Sequence, residues 1–328
     1  MRSHFLLPRG VATACAVAGA STMLNGNCSA QDLIAADYAT NSTYASGWTN
    51  GQNGGYGFGA WSFSGTDTTP AGQYQGIGSS SPIGTAWTLS TYSGSTGLAN
   101  AGRAIPGGLQ PGQTFETVIQ NPNTWQGTYA YRGFDILFTS GPDNNPGGVN
   151  TSAIRLQVFD YFNSSQFWAL ADATFDGSIK PLDAVTTAAA GARLDLTLTS
   201  ATNYSLTFTP LSNPSAAYLM QTGMITSPIS WFNFRSYNGA SSGLTDTANN
   251  FSISSMTIAP LKLNIQKDGA NVLLSWPGAL TNFNLVYSTN LNVPGWTAVS
   301  TAPSIVNGQN VVTNPIVGKQ QFFRLEQQ

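Results

Sequence analysis

An all-β chain is predicted by three observations: apolar residues alternate with polar ones at a period of two, Gly, Pro, Asn and Ser clusters punctuate the alternating runs, and no window carries a convincing helical period. Charged residues are only 8% of the chain, against roughly 25% in an ordinary soluble domain. With 41% hydrophobic residues, the composition is unlike that of a disordered chain, which is rich in charge and poor in aromatics. It suits many short strands joined by uncharged turns.

Residues 1–30 read as a signal peptide. Arg2 and Arg9 form a positive start, Val11 to Leu24 is an apolar stretch of small residues, and Cys28-Ser29-Ala30 before Gln31 resembles a small-x-small cleavage site. A lipoprotein anchored through Cys28 is the rival reading, but Asn25-Gly26-Asn27 lacks the Leu and small residues that normally precede such a cysteine. No later segment approaches the roughly 18 continuous apolar residues of a membrane span. The expected product is secreted, either extracellular or held at a cell surface.

Both cysteines (Cys15, Cys28) and the single histidine (His4) lie in the segment expected to be removed. The mature chain then lacks disulfides, thiolate nucleophiles, Ser-His-Asp triads, histidine bases and Cys/His zinc sites. Losing Arg2 and Arg9 takes the formal net charge from −2 to −4. With no basic cluster there is no electrostatic footprint for nucleic acid or anionic lipid.

Residues 31–259 carry the strand pattern. Phe115, Thr117 and Ile119 alternate with Glu116 and Val118, and the same period recurs at Ile154–Val158, Leu194–Leu198 and Tyr204–Phe208. Further strands are expected at Gly133–Thr139, Gln166–Ala171, Trp231–Arg235 and Phe251–Ile258. The best helical candidate, Asp183–Ala192, contains Thr186-Thr187 and ends in Ala-rich, turn-like sequence. About ten strands without a helix predict a jelly-roll β-sandwich.

A boundary falls near Pro260. Residues 260–328 restart with two strands around a Lys267-Asp268-Gly269 turn, and "NFNLVYSTNL" and "QFFRLEQQ" add two more. An apolar set that includes Leu263, Ile265, Val272, Leu274, Trp276, Leu285, Tyr287, Trp296, Phe323 and Leu325 predicts a small immunoglobulin-like β-sandwich centred on one or two tryptophans.

The C-terminal segments "NVLLSWPG", "FNLVYSTNL", "GWTAVS" and "QQFFRLEQ" resemble the short fibronectin-III or immunoglobulin-like module that ends many secreted proteins of environmental bacteria. In the large domain, "GWTNGQNGGYGFGAWSFSG", "LQPGQTFETVIQNP" and "YSLTFTPL" resemble secreted jelly-roll domains of lectin- or concanavalin-like build. That resemblance implies fold and extracellular location and transfers no catalytic residue.

In the glycine-rich opening, Tyr44, Trp48, Tyr56, Phe58 and Trp61 are able to stack on sugar rings. Gly54-Gly55 and Gly57 equally suit tight turns, with the rings as an inward face, and the stretch reads as scaffold. A better glycan site is "NTWQGTYAYRGF", where Tyr129 and Tyr131 share one strand face and Trp125 precedes them on a loop. Asp143, Asn144 and Asn145 offer the hard oxygen ligands of calcium, though without the spacing of a calcium loop; Asp172 and Asp176 offer a weaker set. Glycoside hydrolysis is the chemistry that survives without His or Cys, since it needs only two carboxyl groups. Glu116 is the sole glutamate of the large domain, with Asp135 and Asp195 its possible partners. The leading expectation is a non-catalytic binder of extracellular polysaccharide or cell-surface glycan. A polysaccharide-acting enzyme and a structural component of an envelope or matrix are the alternatives.

Overall fold

The computed structural model describes residues 15–18, 33–66, 73–91, 96–120, 132–142, 154–160, 167–173, 180–184, 191–212, 219–239, 249–278, 280, 283–291, 295–306, 309–318 and 320–327. In chain order the strands begin with β1 (Cys15–Ala18), β2 (Ala35–Tyr38), β3 (Ser62–Thr66), β4 (Gln73–Ser80), β5 (Gly84–Thr91) and β6 (Thr96–Ala104). Next come β7 (Thr114–Gln120), β8 (Arg132–Thr139), β9 (Ile154–Asp160), β10 (Phe167–Ala171) and β11 (Lys180–Ala184). They are followed by β12 (Ala192–Leu198), β13 (Asn203–Pro210), β14 (Leu219–Met224), β15 (Trp231–Gly239) and β16 (Asn249–Ala259). The remainder is β17 (Asn264–Asp268), β18 (Asn271–Pro277), β19 (Phe283–Ser288), β20 (Thr297–Ala298), β21 (Ser304–Val306), β22 (Gln309–Pro315) and β23 (Gln320–Gln327). A 3-10 turn spans Ser42–Tyr44.

Two compact units result, one from Leu33–Leu109 and Thr114–Ile258, the other from Ala259–Gln328 with β1 and Gln110–Gln113. The larger unit has two antiparallel sheets. One runs β11-β10-β9-β8-β15-β6-β3; the other runs β14-β13-β12-β7-β16-β5-β4, with β2 also paired to β16. The chain changes sheet at β6–β7–β8 and again at β14–β15–β16, which seats β15 between β8 and β6, and β16 between β7 and β5. This Greek-key return makes the unit a jelly-roll sandwich.

The period-two pattern does what it predicts: Ala192, Leu194, Leu196 and Leu198 are buried while Arg193, Asp195 and Thr197 stand half-exposed. Rings fill the space between the sheets, with Phe134 stacked on Phe251 at 4.1 Å and Phe115 meeting Phe138 at 5.1 Å and Phe232 at 4.9 Å. Strand β6 contributes small residues instead. Ala101 lies in register with both Phe63 and Phe234, and Trp48 packs against both of those rings, at 4.6 Å and 5.8 Å. A larger residue at 101 would compete with that indole for space. The helical candidate Asp183–Ala192 is not a helix where described, since β11 holds its start and β12 its end.

The smaller unit pairs β1-β23-β19-β20 in one sheet and β17-β18-β22-β21 in the other. Gly269, at φ +59°, makes the turn expected between β17 and β18. Leu263, Val272, Leu274, Trp276, Leu285, Phe323 and Leu325 form the core. Trp296 is outside it: the ring is half-buried and the Arg324 guanidinium lies over it at 4.3 Å. Strand β1 falls within the segment expected to be cleaved and pairs antiparallel with β23, Cys15 opposite Phe323.

Candidate functional site

The glycine-rich opening of the large unit is built around a buried charge. Asp37 on β2 and Arg103 on β6 form an ion pair at 2.6 Å with neither side chain exposed. Burying two charges is costly unless every lone pair and N–H finds a partner, and here the loop supplies them. Arg103 Nε and Nη2 donate to the Gly59 carbonyl at 2.9 and 2.7 Å, and Nη2 also donates to Asn53 Oδ1 at 2.6 Å. Its guanidinium lies 4.6 Å from the Trp61 ring and 5.0 Å from Phe58. Tyr44 donates its hydroxyl to Asp37 at 2.6 Å and accepts from the Gly54 N–H and the Trp61 indole. Burial, reinforced by the hydrogen bond to Asp37, pushes the Tyr44 phenol up to about 12.

The amide side chains brace the same loop. Asn50 accepts from the Phe63 N–H, Gln52 from the Thr49 N–H, and Asn53 donates to the Phe58 carbonyl. Tyr44, Trp48, Phe58 and Trp61 are accordingly buried, as the scaffold reading expects, while Tyr56 stays 54% exposed.

That scaffold leaves one open feature on its flank. A cleft of about 610 Å³ lies between the Ala39–Thr49 segment and strands β4 and β5. Tyr44 and Trp48 form its floor; Thr40, Asn41 and Thr49 line one wall, and Gln75, Ile77 and Thr85 the other. Every described lining residue is uncharged. Among the described residues the side chains of Thr40, Gln75 and Thr85 make no hydrogen bond, so their hydroxyl and amide groups stand open to a ligand. The Trp48 indole N–H is buried without an acceptor. Trp87 and Trp276, deep in their cores, share that state, so it does not by itself mark a ligand.

Each of the acidic groups considered for hydrolysis has an arginine partner. Asp135 is buried and bonded to Arg155 at 3.1 Å and Arg235 at 2.8 Å. Glu116 and Asp195 are cross-strand neighbours on β7 and β12, and Arg193 reaches both, at 3.8 and 3.0 Å. Burial raises the Asp195 carboxyl, against the pull of Arg193. Asp172 is buried too, accepting from the Tyr204 hydroxyl at 2.5 Å and the Met224 N–H at 3.2 Å. Burial also pushes the Tyr204 phenol upward.

The glycan candidates Trp125, Tyr129 and Tyr131 and the calcium candidates Asp143, Asn144 and Asn145 lie outside the described residues, as does Asp176. Among the described residues no three His, Cys, Asp or Glu side chains gather as a metal site, and no helix is long and apolar enough to cross a membrane. The cleft is hidden in the sequence because Gln75 and Ile77 come from β4, whose Gly and Ser residues mask its alternation, and the Ala39–Thr49 residues come from a loop with no period.

Comparison with protein-family models and with curated proteins finds no match. Among solved structures, the chain is similar to a glycoside hydrolase family protein from Mycobacterium thermorestibile at 10% identity, covering 69% of this chain and 100% of that one, with a TM-score of 0.39. A legume lectin-like domain from Entamoeba histolytica matches at 10% identity over 62% of this chain and 90% of its own, TM-score 0.39. A glycosyl hydrolase family 16 protein from Mycobacterium smegmatis matches at 12% identity over 70% and 100%, TM-score 0.39. The fold assignment rests on strand order and register, not on these likenesses.

Proposed function

We propose that the protein is a secreted, non-catalytic glycan-binding protein whose ligand sits in the Ala39–Thr49/β4–β5 cleft. The observation that carries this reading is the chemistry of the lining: open hydroxyl and amide groups around an apolar floor, with no charged side chain among the described lining residues. A neutral, hydroxyl-rich ligand matches such a surface, because it exchanges hydrogen bonds in both directions and loses no ionic hydration on entry. The buried, bonded state of Asp37, Asp135 and Asp172 supports binding over hydrolysis.

Within the same reading, Trp125, Tyr129 and Tyr131 form a second glycan contact, Asp143, Asn144 and Asn145 hold calcium, and residues 260–328 are an immunoglobulin-like accessory module. The test is a pull-down of Gln31–Gln328 on a panel of soluble and insoluble polysaccharides, with calcium or with chelator, while released reducing ends are assayed. Retention without release, weakened in Gln75→Ala, is the expected result. Release of reducing ends would replace binding with catalysis; no retention on any polysaccharide would favour a structural role. Trp125→Ala and the chelator arm test the second contact and the calcium site.

A further inference from the structure

Tyr38 and Tyr56 are among the most exposed large apolar side chains of the larger unit, at 44% and 54%, and they belong together. Along β2, Ala35 and Asp37 point into the sandwich, so Ile34, Ala36 and Tyr38 share the outer face. Tyr56 is the register partner of Ala36, joined to it by two backbone hydrogen bonds of 3.0 Å. It therefore stands on the same face as Tyr38, a diagonal neighbour about 7–8 Å away along the ladder. On the other side of β2, Thr257 and Ser255 of β16 are in register with Ala36 and Tyr38 and add hydroxyl groups.

The residues around Tyr56 show what seats the ring there. A Cβ on Gly55 would lie 2.0 Å from the Ala36 carbonyl oxygen, and one on Gly57 would lie 2.4 Å from that of Ile34. Only glycines let the segment lie this close to β2. Asn41 ties the backbone on either side of the pair to the cleft. The Asn41 N–H donates to the Tyr38 carbonyl at 2.9 Å, closing a tight turn, and the Asn41 side-chain amide donates to the Gly54 carbonyl, two residues before Tyr56. Asn41 is itself a wall of the cleft.

We propose that Tyr38 and Tyr56 form a shelf that continues the cleft, so that the site takes several consecutive sugar residues of a neutral polysaccharide chain and not a single terminal sugar. The inference rests on the glycan-binding reading of the cleft. The occupant follows from the surface: two ring faces with polar tips, neighbouring hydroxyls, and uncharged side chains at each of the named shelf positions suit the alternating apolar faces and hydroxyl edges of a neutral glycan.

The test is isothermal titration of Gln31–Gln328 with β-1,4-gluco-, β-1,4-xylo-, β-1,4-manno- and β-1,3-gluco-oligosaccharides from disaccharide to hexasaccharide. Affinity for the bound series should climb with chain length. The double variant Tyr38→Ala/Tyr56→Ala should lose about tenfold for the hexasaccharide and little for the disaccharide, with Tyr38→Phe/Tyr56→Phe recovering most of the loss. Gln75→Ala should weaken every length alike. Equal affinity at all lengths, unchanged in the double alanine variant, would overturn the shelf and leave the cleft reading standing. Failure of every oligosaccharide to bind would overturn both.

Discussion

Arg103 and Asp37 are wholly buried, and the loop between Tyr44 and Trp61 exists in its observed form because it satisfies them. Asp37→Asn should therefore destabilise the large unit by about 3–5 kcal/mol, since it leaves a guanidinium buried without its counter-charge; urea denaturation reads the loss. Tyr44 adds a pH dependence. Its phenol rises from 10.0 in the unfolded chain to about 12 in the fold, so its contribution is complete below pH 10 and is lost as pH rises through about 12. Tyr44→Phe should flatten part of that alkaline loss. Asp195 is likewise raised, from 3.8, so stability from this group is greatest below that value and declines as pH climbs through its folded pKa. Asp195→Asn should accordingly gain stability relative to the wild type at pH 7 and gain none at pH 3, in denaturation curves at the two pH values.

At the scale of elements, the two kinds of glycine in the opening stretch separate by experiment. Gly51 has φ +86° with open space around it, so Gly51→Ala should cost about 1–2 kcal/mol of backbone strain alone. Gly55→Ala and Gly57→Ala meet the β2 backbone and should cost more, while also quenching the Tyr56 contribution to near-UV dichroism. Equal losses at all three positions would contradict the close-approach account. This contrast also explains what the sequence reveals. β7, β12 and β13 are legible because Leu, Phe and Ile alternate with polar residues. β4 and β6 are not: Gly and Ser interrupt the first, while the second buries Ala99, Ala101 and Arg103, small or charged residues that no hydrophobic period marks. The cleft is illegible for the same reason, its lining being drawn largely from a loop and from β4. The scaffold role of Tyr44, Trp48, Phe58 and Trp61 was legible from their glycine spacing; the ion pair beneath them was not, because Asp37 and Arg103 lie 66 residues apart in the chain.

For the whole molecule, the two hydrophobic clusters share no residue among those described, one centred on the sandwich rings and the other on Trp276. Calorimetry should then show two transitions, with Trp276→Ala lowering one of them by about 3–5 kcal/mol and leaving the other in place. A single transition shifted as a whole would argue against separate cores. The proposed glycan site lies on one flank of the larger unit. The most direct measurement is hydrogen exchange of Gln31–Gln328 with and without the polysaccharide retained in the pull-down. The account requires slowed exchange at residues 39–49 and 75–85, extending to residues 54–57 when the glycan is long. Protection confined to residues 121–131, with the cleft unchanged, would contradict it and move the site to the Trp125, Tyr129 and Tyr131 segment.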